Sequence, residues 1–297
     1  MSAADVHVLL SEGYSSVYAA ELEEGDVDED RAARRVAEAA AEGCCGVQLL
    51  GPAEGRVNLA AAVGGVLRVD AARLEQVNLC EGVTFATLRS FRLVRPGQVV
   101  ATVKIIPYAV PARVLEQAER AARGVTPLVQ VSELKPRKVG LVLSGLPAAA
   151  SRMQNSFEPP LRKRLESWGS QLNQIDYVAL TGEHDEAALA EALCRQIKRG
   201  CELVLLAGDT STMDYNDVAP RAVRQAGGQV VVVGAPVEPG NLLMLASIDE
   251  TPVVGLPGCA RSPKENVVDR VLPALLAGER VSAADVAGMG HGGLVEE

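Results

Sequence analysis

The residues best suited to chemistry stand together: Gly208, Thr210 and Ser211, then Asp214 and Asp217. They follow the apolar run Leu203-Val204-Leu205-Leu206-Ala207, which reads as a buried strand. A turn of glycine and hydroxyl residues can direct backbone N–H groups and side-chain hydroxyls at a phosphate. Carboxylates just beyond it can hold a divalent metal ion beside that phosphate. The pattern therefore points to an anion site at the carboxyl end of a strand, with a plain polar turn as the alternative. One of the two acids can equally cap the helix that begins nearby. Asp209 stands inside the turn and adds negative charge where a phosphate would sit, so an anion bound there would depend more heavily on a cation.

Such a turn needs a sheet to hold it. Strands are expected at 139–144, 175–180, 203–207, 229–233, 242–246 and 252–256, and helices at 159–168, 185–199, 217–226 and 263–276. Stretch 139–144 is apolar without period-two alternation, the mark of a strand buried on both faces. Pro159 and Pro160 are placed in the first turn of their helix, with Gly169 as its stop. Asp185 is placed as the cap of 185–199. The alternation predicts an α/β fold: a doubly wound, mostly parallel sheet with helices on both faces and right-handed crossovers. Ligands of such sheets bind beyond the carboxyl ends of the strands. Residues 144–147, 181–185, 208–217, 236–241 and 256–262 fall there.

Residues 1–131 mix short strands (6–10, 46–50, 99–106) with helices (29–42, 111–123), an α+β unit. Arg31, Arg34 and Arg35 lie in the first of these helices, whose acidic entry suits the helix dipole. A charged, proline-bearing linker at 132–138 precedes the α/β domain at 139–278, and 279–297 reads as a flexible, glycine-containing tail.

At 297 residues the chain is long enough for two domains, at about 150 residues each. Only 3% of residues are aromatic against 48% hydrophobic, so Val, Leu and Ala must build the core. The net charge of −9 argues against nucleic acid as the main partner, because neutralising phosphates needs a basic face. No apolar run approaches the ~20 residues of a membrane span. The amino terminus lacks the basic and apolar regions of a signal peptide, so the protein reads as cytoplasmic. The six cysteines include no C-x-x-C pair, which argues against structural zinc, and the chain length argues against a disulfide scaffold. Cys44 and Cys45, like the others, read as small buried apolar residues.

Residues 138–276 resemble the molybdopterin-binding domain of molybdenum cofactor biosynthesis proteins. The resemblance rests on Gly208-Asp209-Thr210-Ser211 with Asp214 and Asp217, on Glu238-Pro239-Gly240-Asn241, and on Leu256-Pro257-Gly258-Cys259-Ala260-Arg261-Ser262. The whole chain is similar to molybdopterin-binding proteins that in some bacteria carry a fused cytidylyltransferase-like domain. That likeness rests on Arg56-Val57-Asn58-Leu59-Ala60, Ala101-Thr102-Val103-Lys104-Ile105-Ile106-Pro107 and Gly288-Met289-Gly290-His291-Gly292-Gly293-Leu294. The chain stops at Glu297 without such a domain, so cytidylyl transfer is not expected of it.

The resemblance implies molybdopterin as ligand or substrate, Mg²⁺ at Asp214 and Asp217, ATP or CTP as a further substrate, and a homo-oligomer. The pterin phosphate would sit on Gly208, Thr210 and Ser211 with help from Ser262, and Asn155 and Glu238 would meet the pterin ring. Pro239, Gly240, Asn241, Pro257 and Gly258 would complete the ligand site. Asp214 matches the acid of the metal-insertion type. Asp217, ahead of Val218-Ala219-Pro220, matches that of the adenylyl-transfer type, which has a further acid near Asp185. Arg56, Asn58 and Lys104 become contacts across a domain cleft, Arg261 and Lys264 tune phosphate attraction, and His291 takes no catalytic role. Two functions follow. One is adenylyl transfer or metal insertion; the other is carriage of molybdopterin to a separate nucleotidyltransferase or molybdoenzyme. A third reading keeps the fold for another nucleotide-like phosphate.

Overall fold

Ser2 accepts the Asp5 N–H with its hydroxyl while the Asp5 carboxylate accepts the Ser2 N–H, a capping box that starts helix α1 (Ala3–Ser11) in the computed structural model of the chain. Residues 6–10 are therefore helical, not the strand their valines and leucines suggest. No residue of α1 is buried, so the cap rather than packing decides its conformation. The structure describes residues 2–17, 20–43, 46–182 and 185–295, which leaves Met1, Tyr18, Ala19, Cys44, Cys45, Glu183, His184, Glu296 and Glu297 outside the description.

The chain continues through β1 (Asp26–Asp28), α2 (Glu29–Ala40), β2 (Val47–Ala53), β3 (Arg56–Ala61), β4 (Gly65–Val69), α3 (Ala71–Asn78), β5 (Val83–Thr87), β6 (Leu93–Val94), β7 (Val99–Ile105), β8 (Ala109–Pro111), α4 (Ala112–Ala122) and β9 (Val129–Glu133). Antiparallel pairing orders these strands β2-β3-β7-β5 and β6-β4-β9, with β1 against β8. Helix α2 lays Ala32, Ala33, Val36, Ala37 and Ala40 on the first of these sheets. Alanine at these positions lets the helix backbone approach closely. Arg35 clasps α2 to α4 through a two-pronged pair with Glu119 at 2.7 and 2.8 Å.

The second half runs β10 (Lys138–Gly145), α5 (Ala150–Ser167), β11 (Gln171–Ala179), α6 (Asp185–Lys198), β12 (Leu203–Gly208), α7 (Val218–Gln225), β13 (Gln229–Val233), β14 (Met244–Ile248), β15 (Thr251–Gly255), α8 (Val268–Leu276) and α9 (Ala283–Gly288). Its strands form one sheet in the order β11-β10-β12-β15-β14-β13, in which β14 alone is reversed. This is the expected α/β architecture with a mostly parallel sheet. Side chains alternate strictly along β12. Leu203, Leu205 and Ala207 enter one core with α5 and α8, and Val204 and Leu206 enter another with α6 and α7. Both faces of the central strands are thereby covered, which is why their sequence is apolar throughout.

Helix α5 begins well before the expected 159, so Pro159 and Pro160 stand in its interior. Met153, Phe157, Leu161 and Leu165 recur every fourth residue, and all are buried. Burying four such side chains contributes about 6–12 kcal/mol, which offsets the ~3 kcal/mol that each of the two interior prolines costs. Helix α8 starts at Val268 rather than 263, because buried Asn266 accepts the Val268 N–H at 3.1 Å and holds Cys259 and Lys264 carbonyls from its amide.

The two halves meet around Arg68, which bonds Glu279 and Asp285 at 2.5 Å each and stacks 4.0 Å above the Phe91 ring. Val66 and Phe91 enter the core of the second half. The tail is also built in: Val281, Val286 and Met289 are buried there, and a backbone bridge joins Leu294 to Glu238. The expectation of a flexible tail gives way to these contacts. No helix of the described residues is long and apolar enough to cross a membrane.

Candidate functional site

Strand β12 lies between β10 and β15, so its carboxyl end opens at the middle of the sheet. Gly208 ends the strand. A β-carbon there would stand 2.6 Å from the Thr210 carbonyl oxygen, a contact only glycine avoids. The Asp209 N–H donates to the Ser144 carbonyl at 2.9 Å, and the Asp209 carboxylate accepts the Leu146 N–H at 3.1 Å. Asp209 thus ties the end of β12 to the end of β10. Tyr177 of β11 donates to the Leu146 carbonyl at 2.6 Å, and burial together with the Asp209 charge holds its phenol above the usual range.

The loop after Gly208 is shaped by its own acids. One Asp217 oxygen accepts the Met213 N–H at 2.7 Å and the Asp214 N–H at 3.0 Å. Asp217 stands at the start of α7 yet its side chain makes no bond into that helix. Asp214 accepts the Asn216 N–H at 2.6 Å. Tyr215 is pinned by Arg224, which donates to its carbonyl, and by the Val233 N–H, which donates to its hydroxyl. These bonds leave one oxygen of each acid without a backbone donor.

A cavity of about 280 Å³ opens beside this loop, lined by Gly208, Thr210, Ser211, Thr212 and Asp217 from the turn and by Ser144, Leu206 and Leu256 from the strand ends. Hydroxyl-bearing residues thus line the cavity beside the buried Leu206 and Leu256, a mix of apolar and a few polar groups common to small-molecule sites. Among the expected residues, Gly208, Thr210, Ser211 and Asp217 line this cavity, whereas Asp214 borders its loop without lining it. Thr212, Ser144 and Leu256 join them without having been singled out, although Ser144 and Leu256 each stand at an end of a strand-end stretch.

The remaining expected residues do not line the cavity. Glu238 pairs through its backbone with Gly293 and Val295 of the tail. The Pro239 and Asn241 carbonyls accept from Val267 and Ala235, and Gly240, at φ +136°, packs where any side chain would strike Val267. Pro257, Gly258 and Ser262 belong to the loop leading to α8. That loop is held by Arg164 of α5, itself 8% exposed, which bonds Asp269 at 2.8 Å and the Ala260, Ser262 and Lys264 carbonyls at 3.2, 2.7 and 2.9 Å. Burial pushes the Cys259 thiol in this loop upward, so it stays protonated. Arg261 stacks 5.3 Å from the Phe157 ring. Asn155 is exposed on α5 and His291 on the tail.

Asp185 turns its carboxylate back to the Thr181 and Gly182 N–H groups, closing the turn ahead of α6. On the first half, Asn58 accepts from Thr102 at 2.8 Å, and Lys104 donates to the Glu54 carbonyl and stands 3.8 Å from Glu29. Arg56 lies opposite Lys104 in the β3–β7 register. None of the three lines the cavity. Among the described residues no group of three or more His, Cys, Asp or Glu converges as a metal cage. A divalent ion at this loop would rest on the free oxygens of Asp214 and Asp217 and on its phosphate ligand.

No curated protein matches the chain. Among solved structures, it is similar to a molybdenum cofactor biosynthesis protein B, 14% identical over 48% of this chain and 96% of that one, with a TM-score of 0.34. The molybdopterin biosynthesis Mog protein of Mycobacterium ulcerans is 15% identical over 48% and 98%, with a TM-score of 0.33. The molybdopterin biosynthesis moea protein from Pyrococcus horikosii is 16% identical over 84% and 79%, with a TM-score of 0.32. A family model described as the probable molybdopterin binding domain matches residues 141–277, the span that runs from β10 through the Gly208 turn to the end of α8. Residues 141–277 are thus similar to the probable molybdopterin binding domain family.

Proposed function

We propose that the chain binds molybdopterin at the carboxyl end of β12 and acts in molybdenum cofactor biosynthesis. The observation that carries this reading is the bare Gly208 turn, whose hydroxyl residues line a cavity at the centre of a sheet of the matching family. A cavity of about 280 Å³ accommodates the phosphate end of such a ligand; whole ligand pockets run to roughly 300–1,000 Å³, so the pterin would extend beyond it. Gly208 keeps the backbone close, and Thr210, Ser211 and Ser144 donate to phosphate oxygens. Asp217 and Asp214 hold the loop in the shape that presents those donors.

Two activities remain consistent with this site. As a transferase, the chain would adenylylate molybdopterin or promote metal insertion, with Mg²⁺ at the free oxygens of Asp214 and Asp217 supplying charge neutralisation at the phosphates. As a carrier it would present molybdopterin to a separate nucleotidyltransferase or molybdoenzyme. The engagement of both acids with loop N–H groups favours the carrier reading, because it gives each a structural task without a metal. The linker at 132–138 and self-association into a homo-oligomer belong to the same proposal.

The deciding experiment is molybdopterin binding to the purified chain with and without Mg²⁺ and ATP or CTP, with product analysis. Binding without nucleotide consumption supports the carrier. Consumption that disappears in Asp214→Asn or Asp217→Asn makes the chain a transferase. Absence of binding under every condition removes the molybdopterin assignment.

A further inference from the structure

A second cavity, of about 790 Å³, lies where the loop before β6, the second half of α5, the start of α8 and the tail converge, and it shares no residue with the Gly208 cavity. Arg270 lines it and is only 8% exposed. Its Nη2 donates to the Gly292 carbonyl at 3.2 Å, and its Nε stands 4.0 Å from a Glu265 oxygen. Its Nη1 is buried with no hydrogen-bond partner among the described residues. Arg89 donates to the same Gly292 carbonyl, so two guanidinium groups converge on one neutral acceptor. Burial, followed by repulsion from Arg89, pulls the Arg270 pKa below the usual arginine value. A buried, under-compensated guanidinium is costly unless an anion completes it.

The rest of the lining carries a surplus of the same sign. Arg92 and Lys163 are exposed at the rim and carry no ion pair among the described residues. Arg164 and Asp269 also reach this cavity but neutralise each other at 2.8 Å. Among the described residues, Arg89, Arg92, Lys163 and Arg270 therefore face Glu265 as the one remaining acid of the lining. In a chain of net charge −9, such a concentration of positive charge is local and specific. Trp168 adds a flat apolar wall.

We propose that this cavity is a second anion site, which binds a phosphate-bearing small molecule with its phosphate seated on the exposed Arg89 guanidinium and Lys163, beside the buried, under-compensated Arg270. Planar guanidinium forks match phosphate oxygens in pairs, and the surplus of lining cations suits a dianion better than a single carboxylate. The site is independent of the Gly208 turn and stands whether or not that turn binds molybdopterin.

Trp168 is the single tryptophan of the chain and lines this cavity, so its fluorescence reports on it directly. The full chain is titrated with inorganic phosphate and then pyrophosphate, with ionic strength held constant by sodium chloride, and heats are recorded in parallel. A saturable change is expected, weakened at least tenfold in Arg270→Gln and about two- to fivefold in Lys163→Gln through the lost charge. Lys163 is exposed on α5, so its variant decides the matter should Arg270→Gln fail to fold. The response persists in Gly208→Val, which separates this site from the other cavity. No saturable response to either anion, an equal response to chloride alone, or unchanged affinity in Lys163→Gln overturns the proposal.

Discussion

The two cavities are made in opposite ways. Most of the lining of the Gly208 cavity comes from one stretch, 208–219, completed by the ends of neighbouring strands. The larger cavity collects its lining from four segments spread between Arg89 and Val295. Asp217 lines the first and Asp214 borders it, and one oxygen of each accepts backbone N–H groups of its own loop. Arginines line the second, and one of them retains a buried nitrogen without a partner among the described residues. A parallel sheet positions a turn by strand order alone, so local sequence suffices to describe it. A cavity between packed units depends on which surfaces meet, and its charges need no common motif.

The sharpest challenge to this contrast is Arg164, which lines the larger cavity while holding the loop that leads from Leu256 to α8. Arg164→Leu leaves three carbonyls and the Asp269 carboxylate without their buried donor. A loss of about 3–5 kcal/mol is expected in urea unfolding. A loss below about 1 kcal/mol would show that the loop holds its shape unaided.

Arg35 and Glu119 supply the paired counterpart to Arg270. Glu119→Gln removes the charge from both of their hydrogen bonds and should cost about 1.5–3 kcal/mol at neutral pH. The Arg35 hydrogen bonds hold the Glu119 carboxyl below the usual range, against the opposing effect of burial. The unfolded chain therefore takes up this proton more readily than the folded one. The stabilisation is complete above the unfolded carboxyl value of about 4.3 and is lost as pH falls through the lower folded value. Comparing urea midpoints from pH 7 down to pH 3 should show the gap between wild type and Glu119→Gln narrowing with acidity.

A β-carbon at Gly208 must displace the backbone of Thr210. Gly208→Ala should cost about 1–3 kcal/mol and weaken molybdopterin binding about tenfold or more, measured by equilibrium binding. Full affinity in this variant would mean that the ligand sits elsewhere.

The smallest effect is expected from Asp217→Ala, which frees the Met213 and Asp214 N–H groups to solvent at a cost of about 1 kcal/mol. Faster hydrogen exchange confined to the 209–216 loop should accompany it. Exchange unchanged from wild type would show that Tyr215, with its bonds to Arg224 and Val233, suffices to hold the loop.

Much of the second half was legible because its signals are periodic. The uninterrupted apolar strands, and the glycine and hydroxyl turn after β12, follow from residue types alone. The misreadings came from signals of equal local weight. Pro159 and Pro160 looked like a helix start, yet the four-residue spacing of Met153, Phe157, Leu161 and Leu165 carries the helix through them. Ser2 and Asp5 announced a capping box that the apolar residues 6–10 obscured. The motifs Glu238-Pro239-Gly240-Asn241 and Pro257-Gly258 were visible in the sequence, but their place outside the Gly208 cavity was not. That place depends on Val267, Arg164 and the tail, which join them only in three dimensions.

By itself, the sequence determined the strands of the sheet, most of its helical stretches and the position of the glycine and hydroxyl turn, because hydrophobic periodicity and short-range hydrogen bonding act within a few residues. Tertiary structure alone decided that Asp209 braces the end of β10 at Leu146, that Arg164 organises the loop before α8, and that Arg89 and Arg270 face one another over Gly292. Those outcomes turn on packing between segments separated by 63, 98, 203 and 22 residues. Contacts of that reach leave no period in the chain, and only the balance of burial and charge compensation in the folded molecule selects them.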